Sequence, residues 1–555
     1  MLSTDITAQH FSNFTVGNLN QVEVNNPVYN STSVSKNRVP DGIQILLRDS
    51  NPDAFYNSYA RDPPPRCHPG TRREIVQGIE QWVIGASKQS EPAIWIYGPA
   101  GVGKSAVAQS AAELLAEKEV LDAAYFFSRP NYRDKARHLF PSIAFQLCTK
   151  YEEYRVILDQ IIRNDPTLPS QALRTQFQEL MVKPLEQARP RATKSRRYVV
   201  IIDGLDECES SDAQCRILEI IADAIGQGLP FRWIVLSRTE PHIEASFSGD
   251  MLRDFTIRTE IPVSRETDHE ILCFLTDKFK EIGQVASLSS TWFSEDDIQT
   301  LVNLCAGLFI YAATIERFVR RSASFGPASQ LRAVLSLARR VGSLQSHTAH
   351  PLHELDLFYT LIMEQVPREV LPTLQSILLL RSFASLPFDL ESRHISAILG
   401  LDQPQFSHIC GFLHSVLKLE GVPGNYPDLS FYHASFMDFM QDRTRSREAS
   451  AYSNEVISNT RSRLLDRVKA LLVPQAESSL DIPRQDAVWY GMEMIFYICQ
   501  EVQHVEAPFV SQLSALKFNT LFETCPRYLS TGSRTLKPSV LWQEVGSSLR
   551  ISAPL

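Results

Sequence analysis

One octapeptide constrains this chain of 555 residues more than any other feature: Gly-Pro-Ala-Gly-Val-Gly-Lys-Ser at positions 98–105. It matches the pattern GxxxxGK[ST] of phosphate-binding loops in full. The apolar run AIWIY precedes it and the helix-like stretch AVAQSAAELLAE follows it. Because phosphate-binding loops join a strand to a helix, the context supports the match, and we expect a nucleotide phosphate site here.

The residue types of this loop explain the chemistry. Glycines let successive backbone N–H groups wrap phosphate oxygens, and the N-terminus of the following helix adds a favourable dipole. We expect Lys104 to reach the β- and γ-phosphates and the Ser105 hydroxyl to bind Mg²⁺. The predicted nucleotide-binding residues of the loop are Gly98, Pro99, Ala100, Gly101, Val102, Gly103, Lys104, Ser105 and Ala106.

A second motif lies about a hundred residues further on, where the run YVVII is followed by Asp203-Gly204-Leu205-Asp206-Glu207. A parallel strand would deliver Asp203 to the sheet edge that binds ligands, where a carboxylate can hold the Mg²⁺ shell. Asp206 and Glu207 add two acids, either of which is a candidate to polarise an attacking water.

A third strand-like run, FRWIVLS, ends just before Arg238. If it joins the same parallel sheet, Arg238 lies at the same edge and is a candidate sensor of the γ-phosphate. The alternative is an ordinary surface arginine in a solvated loop. The candidate catalytic residues are Lys104, Asp206, Glu207 and Arg238, and the candidate Mg²⁺ ligands are Ser105 and Asp203.

Strand-sized apolar runs alternate with helix-sized amphipathic stretches up to about residue 264, which predicts a parallel sheet with helices on both faces. Helical periodicity dominates beyond that point, except that a Gly-Val-Pro-Gly-Asn turn at 421–425 predicts a hairpin. The predicted strands are Ala93–Tyr97, Ala123–Phe127, Tyr198–Ile202, Phe231–Leu236 and Phe255–Ile261.

Composition narrows the class of protein. The 55 basic and 63 acidic residues give a net charge of −8, which speaks against a nucleic-acid partner. Nine scattered cysteines without a CxxC pair favour reduced thiols and a cytoplasmic location over disulfides or zinc. The N-terminus has no signal-peptide pattern, and the longest apolar run is too short to span a bilayer.

These motifs together resemble the NACHT domain of STAND-class NTPases, the switch module of NLR-type immune receptors, and in particular fungal NACHT proteins with a nephrocystin-like N-terminal half. Four stretches carry the resemblance: CHPGTRREIVQGIEQWV, YFFSRPNYRDKARHLFPSIAFQL, VVIIDGLDEC and VLSRTEPHI. Two later stretches extend it. GLFIYAATIERFV resembles a helical-domain segment in which Phe309 replaces a common Pro, and HASFMDFM resembles the end of a winged-helix domain.

The resemblance implies an α/β P-loop NTPase core followed by a helical domain, a winged-helix domain and a C-terminal helical region. The implied segments are 1–40 (Asn-rich tail), 41–90 (linker and pre-core helix), 91–264 (NACHT core), 265–350 (small helical domain), 351–445 (winged helix) and 446–555 (C-terminal helices).

The resemblance also implies a function. ATP or ADP binds with Mg²⁺, and the winged helix folds back over ADP, where His433 touches the β-phosphate. ATP releases the winged helix and the opened cores self-associate, with slow regulatory hydrolysis. The implied setting is signal transduction in fungal innate immunity or regulated cell death.

Two other classes stay open at this point. A nucleotide-dependent transcription regulator would use the winged helix on DNA, yet residues 371–445 hold 5 basic and 7 acidic side chains, a poor match to phosphates. An interaction scaffold with a degenerate NTPase is the other, and the intact motif residues speak against it. For His433, a packed core histidine is the alternative to a ligand contact.

The tail stands apart from the rest. Its segment FTVGNLNQV, residues 14–22, resembles the V-G-x-x-N-x-V core of amyloid-signalling motifs, and such Asn-rich, weakly charged segments can stack as a cross-β zipper. The expected Gln is missing at Thr15. An Asn-rich disordered tail is the interpretation that the composition favours.

Overall fold

The computed structural model describes residues 41–87, 89–188, 196–320, 326–343, 352–383, 390–421, 426–472, 482–501 and 507–514. The Asn-rich tail at 1–40, with its amyloid-like segment, lies outside the described residues. Everything below concerns the unit that begins at Asp41.

A five-stranded, fully parallel sheet forms the core, in the order β2-β3-β4-β1-β5. All five predicted strands and their parallel arrangement are confirmed. The strands are β1 (Ala93–Tyr97), β2 (Ala123–Phe126), β3 (Tyr198–Asp203), β4 (Phe231–Ser237) and β5 (Thr256–Glu260).

Helices cover both faces of the sheet, as predicted. Alternate strand residues enter two separate apolar clusters, so that Ile94 packs on one side of β1 and Trp95 on the other. Burial on both faces explains why the strands read as nearly continuous apolar runs. The helices of this part are α1 (Gly42–Asp49), α2 (Arg73–Val83), α3 (Lys104–Glu117), α4 (Leu139–Lys150), α5 (Glu152–Asn164), α6 (Leu173–Gln176), α7 (Lys183–Ala188), α8 (Ser211–Gly226), α9 (Pro241–Ser248) and α10 (Asp250–Arg253).

The structure corrects the prediction that the chain at the start of 41–90 is a linker. Its helix α1 packs against α4 and α5, and Leu46 is fully buried there. The Asn51 backbone N–H donates to Ser142 Oγ at 2.8 Å. A short amphipathic helix with one buried leucine is too brief to give a clear periodic signal, which is why the proline-rich stretch after it suggested a linker.

Helices follow the core, as the fading strand signal predicted. The first group is α11 (Asp268–Val285), α12 (Glu295–Cys305), α13 (Phe309–Arg320) and α14 (Pro327–Ser343). It shares one continuous apolar cluster with the α3 face of the sheet. Its position therefore brings the start of α13 against the phosphate-binding loop, as described below.

A second group combines helices with the predicted hairpin. After α15 (His353–Glu364), three helices precede two antiparallel strands in which Leu417 pairs with Phe431. We call the elements from α16 to α20 the hairpin unit; they are α16 (Leu371–Arg381), α17 (Ser392–Leu399), α18 (Gln403–Gly411), β6 (Leu417–Glu420), β7 (Asp428–Phe431), α19 (Ala434–Gln441) and α20 (Arg443–Ser446).

The rest of the described chain is helical: α21 (Asn454–Leu472), α22 (Ile482–Glu501) and α23 (Ala507–Ser514). These helices agree with the helical periodicity that dominates this part of the sequence. Within the described ranges, no helix combines the length and apolar character that crossing a membrane requires.

Candidate functional site

The phosphate-binding loop joins β1 to α3. Gly101 and Gly103 have φ angles of 83° and 98°, in the left-handed region that favours glycine. A Cβ on Gly101 would lie 2.2 Å from Cγ2 of Ile310, and the Ile310 backbone N–H donates to the Gly101 carbonyl at 3.1 Å. The start of α13 thus packs directly on the loop and fixes its path.

Lys104 is the first residue of α3, and its side chain curls over the loop. Its Nζ donates to the carbonyls of Gly98 and Pro99 at 2.7 and 2.8 Å. Burial lowers the pKa of Lys104 to about 8, although the nearby Asp206 opposes this shift. The ammonium is therefore held at the mouth of the loop, where phosphate oxygens can replace the two carbonyls.

Asp203 ends β3 as a buried carboxylate beside the exposed Ser105. Burial raises the pKa of Asp203 to about 6, and a hydrogen bond with Ser105 opposes the shift. Its Oδ1 is buried and has no hydrogen-bond partner among the described residues, which costs free energy unless another group satisfies it. Mg²⁺ is bound through one or two protein oxygens together with phosphates and waters, so this hydroxyl and carboxylate fit the ion.

The two acids after Asp203 differ in their surroundings. Asp206 is committed to Arg238, since Oδ1 accepts from the Arg238 backbone N–H at 2.9 Å and Oδ2 from its Nε at 3.2 Å. Within the part of the chain that the structure describes, Glu207 Oε2 accepts a single hydrogen bond, from the Arg129 backbone N–H at 3.2 Å. Burial and the neighbouring Asp206 raise the pKa of Glu207 to about 7. A carboxylate with such a pKa suits general-base catalysis, so the geometry favours Glu207 over Asp206.

Arg238 follows β4 directly and is only partly exposed. Its Nη2 donates to Asp438 Oδ2 of α19 at 3.1 Å, while its Nε binds Asp206. Burial alone would lower the pKa of Arg238, but Asp438 and Asp206 outweigh it and raise the pKa. The arginine therefore lies between two carboxylates from distant parts of the chain rather than in a solvated loop.

His433 precedes α19 and acts as its N-cap. Its Nδ1 accepts from the Ser435 backbone N–H at 3.0 Å, so the ring proton belongs on Nε2. Burial, followed by the nearby Arg238 and Lys104, lowers the pKa of His433 to about 3. The imidazole is thus neutral, lies near both cations and has one N–H to donate.

The structure brings the predicted site residues to one edge of the sheet, at the carboxyl ends of β1, β3 and β4. Their roles stay predictions. Three further residues join the site without having been predicted: Arg61, Arg129 and Asp438. Arg61 lies 3.4 Å over the Phe126 ring and interacts electrostatically with Asp203. Arg61 lies in no recognisable motif, whereas Arg129 lies inside YFFSRPNYRDKARHLFPSIAFQL and Asp438 inside HASFMDFM, two stretches that carry the resemblance.

Comparison with known proteins gives one family match. The family model described as "Nephrocystin 3, N-terminal" matches residues 70–238. This range spans the phosphate-binding loop, residues 203–207 at and after the end of β3, which we call the acidic loop, and Arg238. A search of curated protein sequences returns no match.

Solved structures give distant similarities. Cdc6p from Pyrobaculum aerophilum is 13% identical with a TM-score of 0.32, covering 70% of this chain and 97% of that one. Aeropyrum pernix Orc1, solved in complex with DNA, is 15% identical with a TM-score of 0.27, covering 75% and 97%. AMPPCP-bound DnaA from Aquifex aeolicus is 12% identical with a TM-score of 0.24, covering 66% and 90%. At such scores these similarities carry no inference about ligand or partner.

The phosphate-binding loop, the sheet order and the acidic loop after β3 together define a nucleotide-binding core of the P-loop NTPase class. The nephrocystin-type match covers β1 to β4 of this core and agrees with that class.

Replacing Lys104 with Ala tests nucleotide binding. It removes the charge that meets the phosphates, so affinity for a fluorescent ATP analogue should fall by roughly 1.5–3 kcal/mol, the scale of a hydrogen bond to a charged group. Lys118→Ala, at the other end of α3, is the matched control and should bind like the parent. Equal affinities of all three proteins would contradict the phosphate-site assignment.

Replacing Glu207 with Gln tests the chemical step. The amide preserves shape but accepts no proton, so ATP should bind normally while hydrolysis slows by about 10²- to 10⁴-fold, the usual contribution of a general base. The control is Glu219→Gln on the exposed face of α8. If the Glu207 variant hydrolyses bound ATP at the parental rate in single-turnover assays, Glu207 is not catalytic.

Proposed function

We propose that this chain is an ATP/ADP-dependent signalling switch of the NACHT class, in which the hairpin unit closes over the nucleotide site. The observation that carries the proposal is the position of Arg238 between Asp206 and Asp438. Asp438 lies 200 residues beyond Arg238. The same arginine therefore touches the acidic loop of the nucleotide site and a helix of the hairpin unit.

The chain's own residues can perform slow hydrolysis. The loop amides and Lys104 hold the phosphates, and Glu207 orients the attacking water and accepts its proton. Ser105 and Asp203 would hold Mg²⁺. When it is bound, this ion would neutralise charge on the phosphates. The hydrolysis is regulatory in this proposal, because it resets the switch rather than supplying product.

The switch follows from competition for Arg238. A γ-phosphate near the end of β4 would attract its guanidinium, and Asp438 would then be left as a partly buried carboxylate without its cation. A ligand shifts a conformational equilibrium only by its differential affinity for the two states. One hydrogen bond to a charged group, about 1.5–3 kcal/mol, corresponds to roughly a 10- to 150-fold shift in populations.

In this proposal His433 stabilises the closed hairpin unit when ADP is bound. Its neutral ring lies near Lys104 and Arg238 and has an Nε2–H to donate. A hydrogen bond from this group to a diphosphate would tie α19 to the core in the ADP state. ATP would then open the hairpin unit and expose surface for self-association.

We propose that the hairpin unit, three helices followed by a β-hairpin, is the winged helix that the sequence resemblance implies, which keeps a DNA-binding role in view. Helix α18 would be its recognition helix, and its sequence QPQFSHICG contains no lysine or arginine. A groove-reading helix without a cation is poorly suited to DNA. The nucleotide switch is therefore the function that we favour.

The first experiment identifies the bound nucleotide. Protein purified without added nucleotide should release ADP on denaturation, measured by chromatography and mass spectrometry, and the Lys104→Ala variant should release much less. Parent protein that neither retains nor binds any adenine nucleotide would exclude the switch.

Asp438→Asn tests the competition for Arg238. The amide keeps the shape of the side chain but loses the charge, so the closed state should weaken. We expect ADP to dissociate about 10-fold faster or more, the lower end of the population shift above, and ATP-dependent self-association to increase. Asp466→Asn, an exposed change on α21, is the control. Parental ADP off-rates in Asp438→Asn would contradict the proposal.

Two variants of His433 separate a phosphate contact of its ring from its role as the N-cap of α19. His433→Ala removes both, whereas His433→Asn keeps a good N-cap and removes the ring. Both should release ADP faster if the ring binds a phosphate. Faster release in His433→Ala alone would show that only the cap matters. Phe436→Ala is the packing control, because this buried ring should cost about 3–5 kcal/mol of stability without a selective effect on ADP.

A further inference from the structure

The turn after β2, residues Ser128–Arg133, contacts the nucleotide site on one side; we call it the β2 turn. The Arg129 backbone N–H donates to Glu207 Oε2 at 3.2 Å. The Arg129 Nη2 donates to the Asp206 carbonyl at 2.9 Å. The turn therefore holds both the carboxylate and the backbone of the acidic loop.

The other side of the β2 turn binds the hairpin unit. The Asn131 side chain makes two hydrogen bonds to the backbone of Phe431 in β7: Nδ2 donates to the carbonyl at 3.2 Å and Oδ1 accepts from the N–H at 2.8 Å. The Asn131 amide thus pairs with the Phe431 backbone in the way that the backbone of a neighbouring strand would.

A second contact lies beside it. The Arg381 guanidinium stacks 3.7 Å over the Tyr132 ring. Its Nε and Nη2 both donate to the Leu429 carbonyl at 3.2 Å. Arg381 is buried, so the stack forms part of a desolvated interface, where cation–π interactions are strongest.

The β2 turn is closed by hydrogen bonds between its own residues. Ser128 and Arg133 exchange two backbone hydrogen bonds of 3.1 and 3.0 Å. Asn131 Nδ2 also donates to Ser128 Oγ at 2.9 Å. These hydrogen bonds connect Asn131 to Ser128, the residue before Arg129, whose N–H binds Glu207.

We propose that Arg129 is a positioning residue for ATP hydrolysis, and that docking of the hairpin unit on Asn131 and Tyr132 sets its position. This path is separate from the Arg238–Asp438 contact. The inference rests on the proposed function, because it assumes that Glu207 acts on a water.

The step it controls is ordinary hydrolysis. The water oxygen bonds to the γ-phosphorus while the bond to the β,γ-bridging oxygen breaks. The proton of the water passes to Glu207 and later to the phosphate product, leaving ADP. A carboxylate fixed at one oxygen by the Arg129 N–H keeps the other oriented, and a misplaced base loses rate without losing substrate affinity.

Asn131→Ala is the direct test. It removes the pairing with Phe431 and leaves Glu207 and the phosphate-binding loop unchanged in sequence. We expect single-turnover hydrolysis of bound ATP to slow about fivefold to tenfold, the scale of one or two neutral hydrogen bonds, with the ATP Kd within twofold of the parent. Asn131→Asp keeps the acceptor for the Phe431 N–H and should be intermediate, as should Tyr132→Leu. Tyr132→Phe keeps the ring under Arg381 and loses only the long 3.5 Å hydrogen bond from the hydroxyl to the Arg381 carbonyl, so it should slow hydrolysis less than Tyr132→Leu.

Lys418→Met supplies the matched control. Lys418 Nζ donates to the Asp62 carbonyl from the other strand of the same hairpin, so it contributes to docking without touching the β2 turn. This variant should keep the parental rate. If it slows hydrolysis as much as Asn131→Ala, general loosening of the hairpin unit explains the effect and the proposal is overturned.

The remaining outcomes are also distinct. A parental rate in folded Asn131→Ala or Asn131→Asp protein overturns this inference and leaves the switch intact. A parent that binds ATP but never hydrolyses it overturns the inference and the hydrolytic part of the proposed function together. Loss of ATP affinity in step with the rate would show that the turn shapes the binding site rather than positioning Glu207.

Discussion

The contacts of Arg238 connect the two halves of the structure. The arginine leaves the end of β4, binds Asp206 of the acidic loop and reaches Asp438 of α19. All three groups are at least partly withdrawn from water, so removing one charge leaves another uncompensated at a high cost. In our proposal the position of the hairpin unit depends on these charges, and a phosphate bound in the nucleotide site alters their balance.

The β2 turn gives the hairpin unit a second contact with the same site. Arg238 connects α19 to the acidic loop through charge, whereas Asn131 connects β7 to it through backbone pairing. In our proposals the first contact governs opening and the second governs hydrolysis. In these proposals ATP is hydrolysed fastest while the hairpin unit is docked. An opened molecule therefore has to redock its hairpin unit first, and hydrolysis to ADP then fixes it in the closed state.

Much of the core could be predicted from the sequence because its signals are local. Five apolar runs correspond to the five strands, and the spacing GxxxxGK[ST] located the loop in which the packing of Ile310 requires a glycine at Gly101. The partners of Arg238 and Asn131 could not be predicted, since they lie 200 and 300 residues away along the chain. The adjacent acids Asp206 and Glu207 were equivalent in sequence, and only the geometry of the turn separates them. The packed helix α1 was missed because it is short.

Hydrogen exchange of α19 and β7 tests the central claim most directly, because local opening exposes backbone amides that docking protects. The amides of Ala434–Gln441 and of Asp428–Phe431 should be protected with ADP and exchange markedly faster with a non-hydrolysable ATP analogue, while those of β3 should not change. Equal protection of α19 and β7 with both nucleotides, at saturating concentrations, would contradict a hairpin unit that opens in response to the γ-phosphate.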